Sequence, residues 1–366
     1  MAISIVTFLT AFGTSACLVP VVRHFARQWS LYDRAGELKI HVGGIPRLGG
    51  VAIAIAFVTA LVASGQPLNR EIVYFLGALA LVWLVGLVDD LRDLPPSVRV
   101  VAQAVSAVLL YCGGWRVEMS TYSVINFIAT IVLVMWFVNS LNFVDGVDGL
   151  AAGITAVAVI AFAIVFVTQA AYLIVALATA LLGCCVGFLL FNFPPASIFM
   201  GDCGSTVLGL VLGSLTLAFL RSHPRASFEA VVPLLFVALP LADAVFAVVR
   251  RLRQGKSPWA GDRRHYYDLL LHRGWSPQKV VLVSYSVSAL FALMGLLGER
   301  AHLSGPLGIL AGVVIVALGV LLGSLKPEPR LARLFPTDPA CVPIHDQNSH
   351  HPEEGSPTTD VAVRSS

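Results

Sequence analysis

Carboxylates and amides interrupt an otherwise apolar chain at a few points, and their spacing is regular. Asp89 and Asp90 close one apolar run, with Asp93 three residues further on; Asn139, Asn142, Asp145 and Asp148 follow one another in steps of three. Asp202 is the sole charge between Gly187 and Ser205, and Asp243 lies inside a later apolar run. An acid at the centre of a membrane-spanning helix costs about 2.5–3.5 kcal/mol even on lenient insertion scales. Repeated acids in such surroundings either line a water-filled path or meet a cation at a membrane surface.

Each cluster has its own chemistry. Adjacent residues on a helix project about 100° apart, so Asp89 and Asp90 do not share one role. One can face a metal, and the other a basic partner or a nucleophile. As a plain alternative, the pair ends a helix and reaches for water. The steps of three from Asn139 to Asp148 predict a polar stripe at the end of an apolar helix. Gly146 and Gly149 beside the acids let backbone approach a ligand closely. The Asp-Gly-Val-Asp-Gly run lacks the remaining ligands and closing Glu of a calcium-binding EF-hand. Asp202 sits between Gly201 and Gly204 at the expected start of a helix, where free N–H groups suit a phosphate and Ser205 reads as an N-cap. From Arg250 to Gly274 the chain carries seven basic residues, two histidines and three aromatic residues. That loop (250–276) suits a phosphorylated, ring-bearing ligand or, more plainly, lipid head groups. Carboxylates and cations converging on one face suggest phosphoryl transfer with Mg²⁺, which takes one or two carboxylates and leaves its other positions to water and phosphate oxygens.

The elements that position these residues are membrane helices. The 366 residues are 57% hydrophobic and 12% charged, with a mean hydropathy of +0.83; soluble domains are about a quarter charged. Apolar runs long enough to cross a bilayer recur at 1–22, 48–64, 71–88, 98–114, 122–138, 149–167, 170–191, 204–220, 228–249, 277–297 and 304–324. The expected fold is an all-α polytopic membrane protein of about eleven transmembrane helices, with one membrane domain over 1–325 and a polar, disordered cytoplasmic tail over 326–366. The first run carries no small-residue cleavage site before a soluble domain and reads as a retained helix. With 23–47 placed in the cytoplasm, alternation puts nineteen of the 24 basic residues on that side, leaving Arg70, Arg116, Arg221, Arg225 and Arg300 outside. The N-terminus is then outside and the C-terminus inside. Asp89–Asp93, Asp145–Asp148, Asp202 and the 250–276 loop all share the cytoplasmic face. The six cysteines include no CxxC pair and read as small buried hydrophobes. The tail histidines His345, His350 and His351 read as solvated. No repeat, Walker loop or Rossmann fingerprint occurs.

Five ordered motifs between about Asp33 and Val280 resemble the polyprenyl-phosphate N-acetylhexosamine-1-phosphate transferases, relatives of the phospho-MurNAc-pentapeptide translocase. Asp33, Lys39, His41 and Pro46–Gly50 match the first. Asp89-Asp90, Leu94, Pro96, Arg99 and Gln103 match the second, and Asn139, Asn142, Asp145-Gly146, Asp148-Gly149 and Gly153 the third. Asn192, Pro195-Ala196 and Phe199–Asp202 with Gly204-Ser205 match the fourth. Asp243, Arg250-Arg251, Gly255, Ser257-Pro258 and Asp262 approach the fifth. The helix count resembles the GlcNAc-1-phosphate branch.

The resemblance implies a reaction in the bacterial inner membrane. A phosphate oxygen of undecaprenyl phosphate attacks the β-phosphorus of a UDP-sugar, UMP leaves, and a polyprenyl-diphospho-sugar forms to begin a cell-envelope glycan such as O-antigen. The implied catalytic residues are Asp89, Asp90, Asp145, Asp148 and Asp202. Asp202 and Asp145 would hold Mg²⁺ (or Mn²⁺), and Asp89 or Asp90 would orient the lipid phosphate. The implied substrate-binding residues are Lys39, His41, Arg47, Arg99, Asn139, Asn142, Asn192, Phe199, Arg263, Arg264 and His265. The expected partners are the UDP-sugar, undecaprenyl phosphate and the bilayer, with a homodimer allowed for and no nucleic acid. One motif departs from the pattern: His265-Tyr266-Tyr267-Asp268 stands where the family carries an HxHH block. An acid there would repel a diphosphate, which points to a divergent sugar site with QuiNAc, FucNAc or GalNAc as alternatives to GlcNAc. A secondary transporter and a catalytically inactive family member are the competing classes.

Overall fold

The computed structural model describes residues 2–32, 44–223, 229–257, 264–301 and 303–324. They form thirteen helices: α1 (Ala2–Gln28), α2 (Gly49–Ala63), α3 (Arg70–Arg92), α4 (Pro96–Gly113), α5 (Ser123–Val144), α6 (Leu150–Thr168), α7 (Tyr172–Asn192), α8 (Asp202–Ser222), α9 (Val231–Phe236), α10 (Ala238–Arg253), α11 (Tyr266–Leu271), α12 (Pro277–Ala301) and α13 (Ser304–Ser324). No strand occurs among the described residues; a single bridge joins Tyr32 to Pro46. The tail from residue 325 onward, and with it the expected domain boundary, lies outside the described residues.

Among the described residues, every apolar run found in the sequence falls largely on helix. Eight helices among the described residues (α1, α3–α8 and α12) are long and apolar enough to cross a bilayer. Val73, Leu84, Val101, Val105, Ile128, Val132, Leu290 and Leu297 lie exposed along the outer helices, as lipid-facing positions should. The protein is a multi-pass membrane protein. The run 228–249 is not one helix: it breaks at Val237 into α9 and α10. Pro240 lacks an N–H, and its ring excludes the Phe236 carbonyl four residues back, so the ladder cannot continue there. Local signals set other ends. Asn69 accepts a hydrogen bond from the Ile72 amide at the start of α3 (3.0 Å). Pro96 opens α4 at a position where a missing N–H costs nothing.

α8 is the central helix, buried from Cys203 through Leu220, with α2, α3 and α5 packed against it. α1 lies against α2 and α7, and α6 against α7 and α12. The start of α3 and the ends of α4 and α8 meet at one end of the bundle: Arg221 Nη1 lies 2.7 Å from Glu71 Oε1, and Trp115 Nε1 donates to the Glu71 carbonyl at 3.1 Å. At the opposite end, the end of α3 and the starts of α2 and α8 converge. A strand-like stitch joins the segments before α2 and α8: Phe199 N–H to Pro46 O (2.8 Å), Gly49 N–H to Phe199 O (2.9 Å) and Gly50 N–H to Met200 O (2.8 Å).

A side chain at Gly50 would run into the backbone of Gly204 and Cys203. Backbone cannot yield as a flexible side chain can, and overpacking costs about 1–3 kcal/mol. Gly50→Ala should therefore lower the thermal unfolding midpoint of the detergent-purified protein, whereas Gly13→Ala, which meets open space, should leave it unchanged.

Candidate functional site

The first turn of α8 is the centre of the site. Its leading amides do not await a ligand, as the sequence reading expected. Asp90 on α3 accepts from the Asp202 N–H at 2.8 Å and from the Cys203 N–H at 3.0 Å, while Gly204 and Ser205 N–H bond to the Gly201 carbonyl. Asp90 thus caps α8 from a neighbouring helix and offsets its positive end. Ser205 is correspondingly not the N-cap, a position taken by Gly201; its Oγ accepts from Asn142 Nδ2 at 3.0 Å.

Beyond the cap, one network links four elements. Arg99 Nη1 on α4 lies 3.1 Å from Asp89 Oδ2 and 3.0 Å from Asp202 Oδ2. Asn142 Nδ2 donates to Asp202 Oδ1 at 2.9 Å, and the Leu94 amide donates to Asp89 Oδ1 at 2.6 Å. Asp89 and Asp90 therefore divide as their projection requires, Asp89 toward Arg99 and Asp202, Asp90 onto the backbone of α8. Asn139 exchanges a hydrogen bond with buried Gln103 (2.6 Å). An open cleft lies over this network, lined by Val82, Val85 and Gly86 of α3, Arg99, Val100 and Gln103 of α4, Asn139, Asn142 and Phe143 of α5, and Asp202 and Thr206 of α8.

The α5–α6 turn brings the remaining acids. Asp148 Oδ2 accepts from Ala196 N–H at 2.9 Å. Asn192 links its neighbours, accepting from Gly149 N–H and donating to the Ile198 carbonyl, each at 2.9 Å. Asp145 is half-buried, and no hydrogen bond or ion pair among the described residues reaches its carboxylate. Loss of hydration, then the charges of Asp202, Asp90 and Asp148, hold its carboxyl well above the usual carboxylate range.

Comparisons with known proteins show the family to which the chain belongs. The model of "Glycosyl transferase family 4" matches residues 72–220, from Asp89 through Asp202. The chain is 34% identical over 310 residues to the decaprenyl-phosphate N-acetylglucosaminephosphotransferase of Mycolicibacterium smegmatis, covering 72% of this chain and 76% of that one. The chain belongs to glycosyl transferase family 4. It is also 29% identical to a probable undecaprenyl-phosphate N-acetylglucosaminyl 1-phosphate transferase of Bacillus subtilis (81% of this chain, 85% of that one). The corresponding alpha-N-acetylglucosaminyl enzyme of Escherichia coli is 26% identical over 82% of this chain and 83% of its own.

This family 4 member brings Asp89, Asp90, Arg99, Asn142 and Asp202 into one network; Asn139 lines the same cleft, Asp145 and Asp148 lie on the adjoining turn, and Asn192 at the end of α7 bonds that turn. Phe199 is half-buried and enters through its backbone stitch to Pro46 and Gly49. Arg47 is half-buried next to that stitch, and Arg264 is exposed. Lys39, His41 and Arg263 lie outside the described residues. His265 is buried and hydrogen-bonded through Nδ1 to Asp243 Oδ2, a partner the sequence reading left out of the site although Asp243 stood out as an acid in an apolar run. Asp268 is buried in its own turn, where it accepts from the His265 N–H at 3.2 Å. It serves as a cap for α11, so the expected repulsion of a diphosphate does not carry the case for a divergent sugar. Ser205 was expected as a cap and Tyr267 as part of a departing motif; neither was expected to contact the residues of the site, as Ser205 does through Asn142 and Tyr267 through the Phe143 carbonyl.

No group of three His, Cys, Asp or Glu side chains among the described residues makes a ready metal cage. The oxygen donors nonetheless suit a hard cation that keeps water and phosphate ligands, since Asp145 has no hydrogen-bond or ion-pair partner among the described residues and faces the charges of three further carboxylates. Replacing Asp90 by Ala removes both acceptors from the start of α8, and loss of an N-cap costs about 0.5–2 kcal/mol. Asp90→Ala should lower the unfolding midpoint, and Asp90→Asn, which keeps one acceptor oxygen, should recover part of it.

Proposed function

We propose that this protein transfers a HexNAc-1-phosphate, GlcNAc in the first instance, from a UDP-sugar to undecaprenyl phosphate. UMP leaves, and the polyprenyl-diphospho-sugar that forms initiates a cell-envelope glycan. The observation that carries the reading is the Asp89–Arg99–Asp202–Asn142 network beneath a cleft with both polar and valine-rich lining. A charged head group with an apolar chain needs such a surface. The names of the family 4 relatives support the same reading.

In this scheme a lipid phosphate oxygen attacks the β-phosphorus, and the bond from that phosphorus to the UMP oxygen breaks. A phosphate monoester has its second pKa near 6, so the residues mainly orient and neutralise charge. Arg99, positioned between Asp89 and Asp202, supplies a positive charge for phosphate oxygens. Asp202 and Asp145 would hold Mg²⁺ (or Mn²⁺), which when bound neutralises the diphosphate and its leaving group. Asn142 orients Asp202, while Asp148 and Asn192 shape the turn that carries Asp145. Lys39, His41, Arg47, Arg263 and Arg264 are assigned to phosphate binding, and Phe199 to the nucleotide. The proposed setting is the bacterial inner membrane, with eleven crossings, the N-terminus outside and the site in the cytoplasm. The acids gather at one end of the bundle rather than at mid-depth, which favours this reading over a secondary transporter.

The test is UMP release by purified protein supplied with Mg²⁺, undecaprenyl phosphate and a panel of UDP-HexNAc donors. Release should require lipid, stop on chelation and return with added Mg²⁺. Asp202→Ala should lower it on the order of a hundredfold or more; undiminished turnover in that variant would sink the assignment of Asp202. Silence with every donor, beside an active relative, would reject the transferase reading.

A further inference from the structure

His265 and the start of α11 are attached to the acidic turn through a chain of buried contacts. Asp243 on α10 is spent twice: Oδ2 holds His265 Nδ1, and Oδ1 accepts from the Tyr266 N–H at 3.0 Å. Asp243 and His265 are 6% and 5% exposed, so this is an interior pair shielded from water. The His265 ring lies nearly parallel to that of Tyr267, with centroids 5.5 Å apart and 8° between planes, and 5.5 Å from the Phe143 ring. Tyr267 donates its hydroxyl to the Phe143 carbonyl at 2.7 Å. That carbonyl belongs to the last turn of α5, where helix geometry leaves acceptors without a partner in the helix. Gly146, beside Asp145, has no side chain because Tyr267 Oη fills the space where a Cβ would sit.

We propose that Asp243 is a positioning residue: it fixes His265, and through the stacked Tyr267 it holds the α5–α6 turn in the shape that presents Asp145 and Asp148. Tyr267 is the second point of this strap. Tyr266 shares the same short helix, but its hydroxyl donates to Ser284 on α12 at 3.1 Å, away from the acidic turn. It is therefore an internal control for general loosening of the segment. The link between the turn's shape and turnover rests on the transferase reading; the link between Asp243 and the turn does not.

Two measurements separate them. The first is hydrogen–deuterium exchange of peptides covering 139–150 in the full-length purified protein. Asp243→Ala and Tyr267→Phe should speed exchange there by about tenfold, Asp243→Asn less so, and Tyr266→Phe should leave it unchanged. Wild-type exchange at 139–150 in Asp243→Ala, or equal acceleration in Tyr266→Phe, overturns the proposal whatever the turnover. The second is steady-state UMP release. Asp243→Ala should lower kcat by about tenfold with little change in KM for the UDP-sugar, and Asp243→Asn should restore part of it. The Asp243→Ala/His265→Ala double variant should be no slower than His265→Ala alone, because one residue acts through the other. Additive losses overturn the proposal. A wild-type protein silent with every donor defeats the transferase reading, while the exchange data still decide the strap.

Discussion

The structure depends on how the start of α8 is held. A helix that begins inside a membrane protein exposes amides that lipid cannot satisfy, and each unmet group is costly. Here a carboxylate from another helix takes the first two: Asp90 of α3 on the amides of Asp202 and Cys203. The bond fixes α3 against α8 and sets the direction in which Asp202 leaves the backbone. It also requires Gly201 at φ 76°, a left-handed conformation in which a Cβ would come within 2.5 Å of the Asp90 carboxylate. Charge-assisted hydrogen bonds of this kind are stronger than neutral ones, which suits a contact that must keep one helix start in register.

Around that start the bundle alternates close backbone approach with charge. Gly50 and Gly204 let α2 reach α8, and a methyl added at Gly86 of α3 would come within 2.8 Å of the Asp202 carbonyl and the Cys203 backbone. Small residues allow such approach where lipid supplies no hydrophobic drive between helices. The polar groups brought in by this packing are then shared: Arg99 serves two carboxylates, and Asn142 serves Asp202 and Ser205. Asp145 lies beside this network, with no hydrogen-bond or ion-pair partner for its carboxylate among the described residues. Loss of hydration and the neighbouring charges hold the Asp145 carboxyl well above the usual range, the response expected of crowded carboxylates in a partly dehydrated place.

Much of this was legible in the chain. Apolar run length marked every long helix, since a bilayer core imposes a minimum length on an α-helix. The steps of three from Asn139 to Asp148 predicted one helical stripe; Asn139 and Asn142 do face the cleft, while Asp145 and Asp148 fall on the turn after α5 ends at Val144. Other features were not legible. The break at Val237 fell inside an unbroken apolar run whose proline, Pro240, acts on a carbonyl four residues earlier. The amides of α8 looked free because nothing near residue 202 in sequence caps them. Asp268 looked like an intruding charge because its partner, the His265 amide, is backbone, which composition does not reveal.

The sequence by itself determined the class of molecule, the long helices, and the small set of acids, amides and bases able to do chemistry. These follow from local rules: hydropathy, turn length and the cost of a charge in lipid act on neighbouring residues. The tertiary structure decided the division of labour among them. Asp89 and Asp90 are adjacent in the chain, yet one meets Arg99 and the other a helix 112 residues away. Tyr267 and Asp243 matter through contacts with Phe143 and His265. A carboxylate's role depends on which donors stand within about 3 Å of it, and those donors come from segments that only folding brings together.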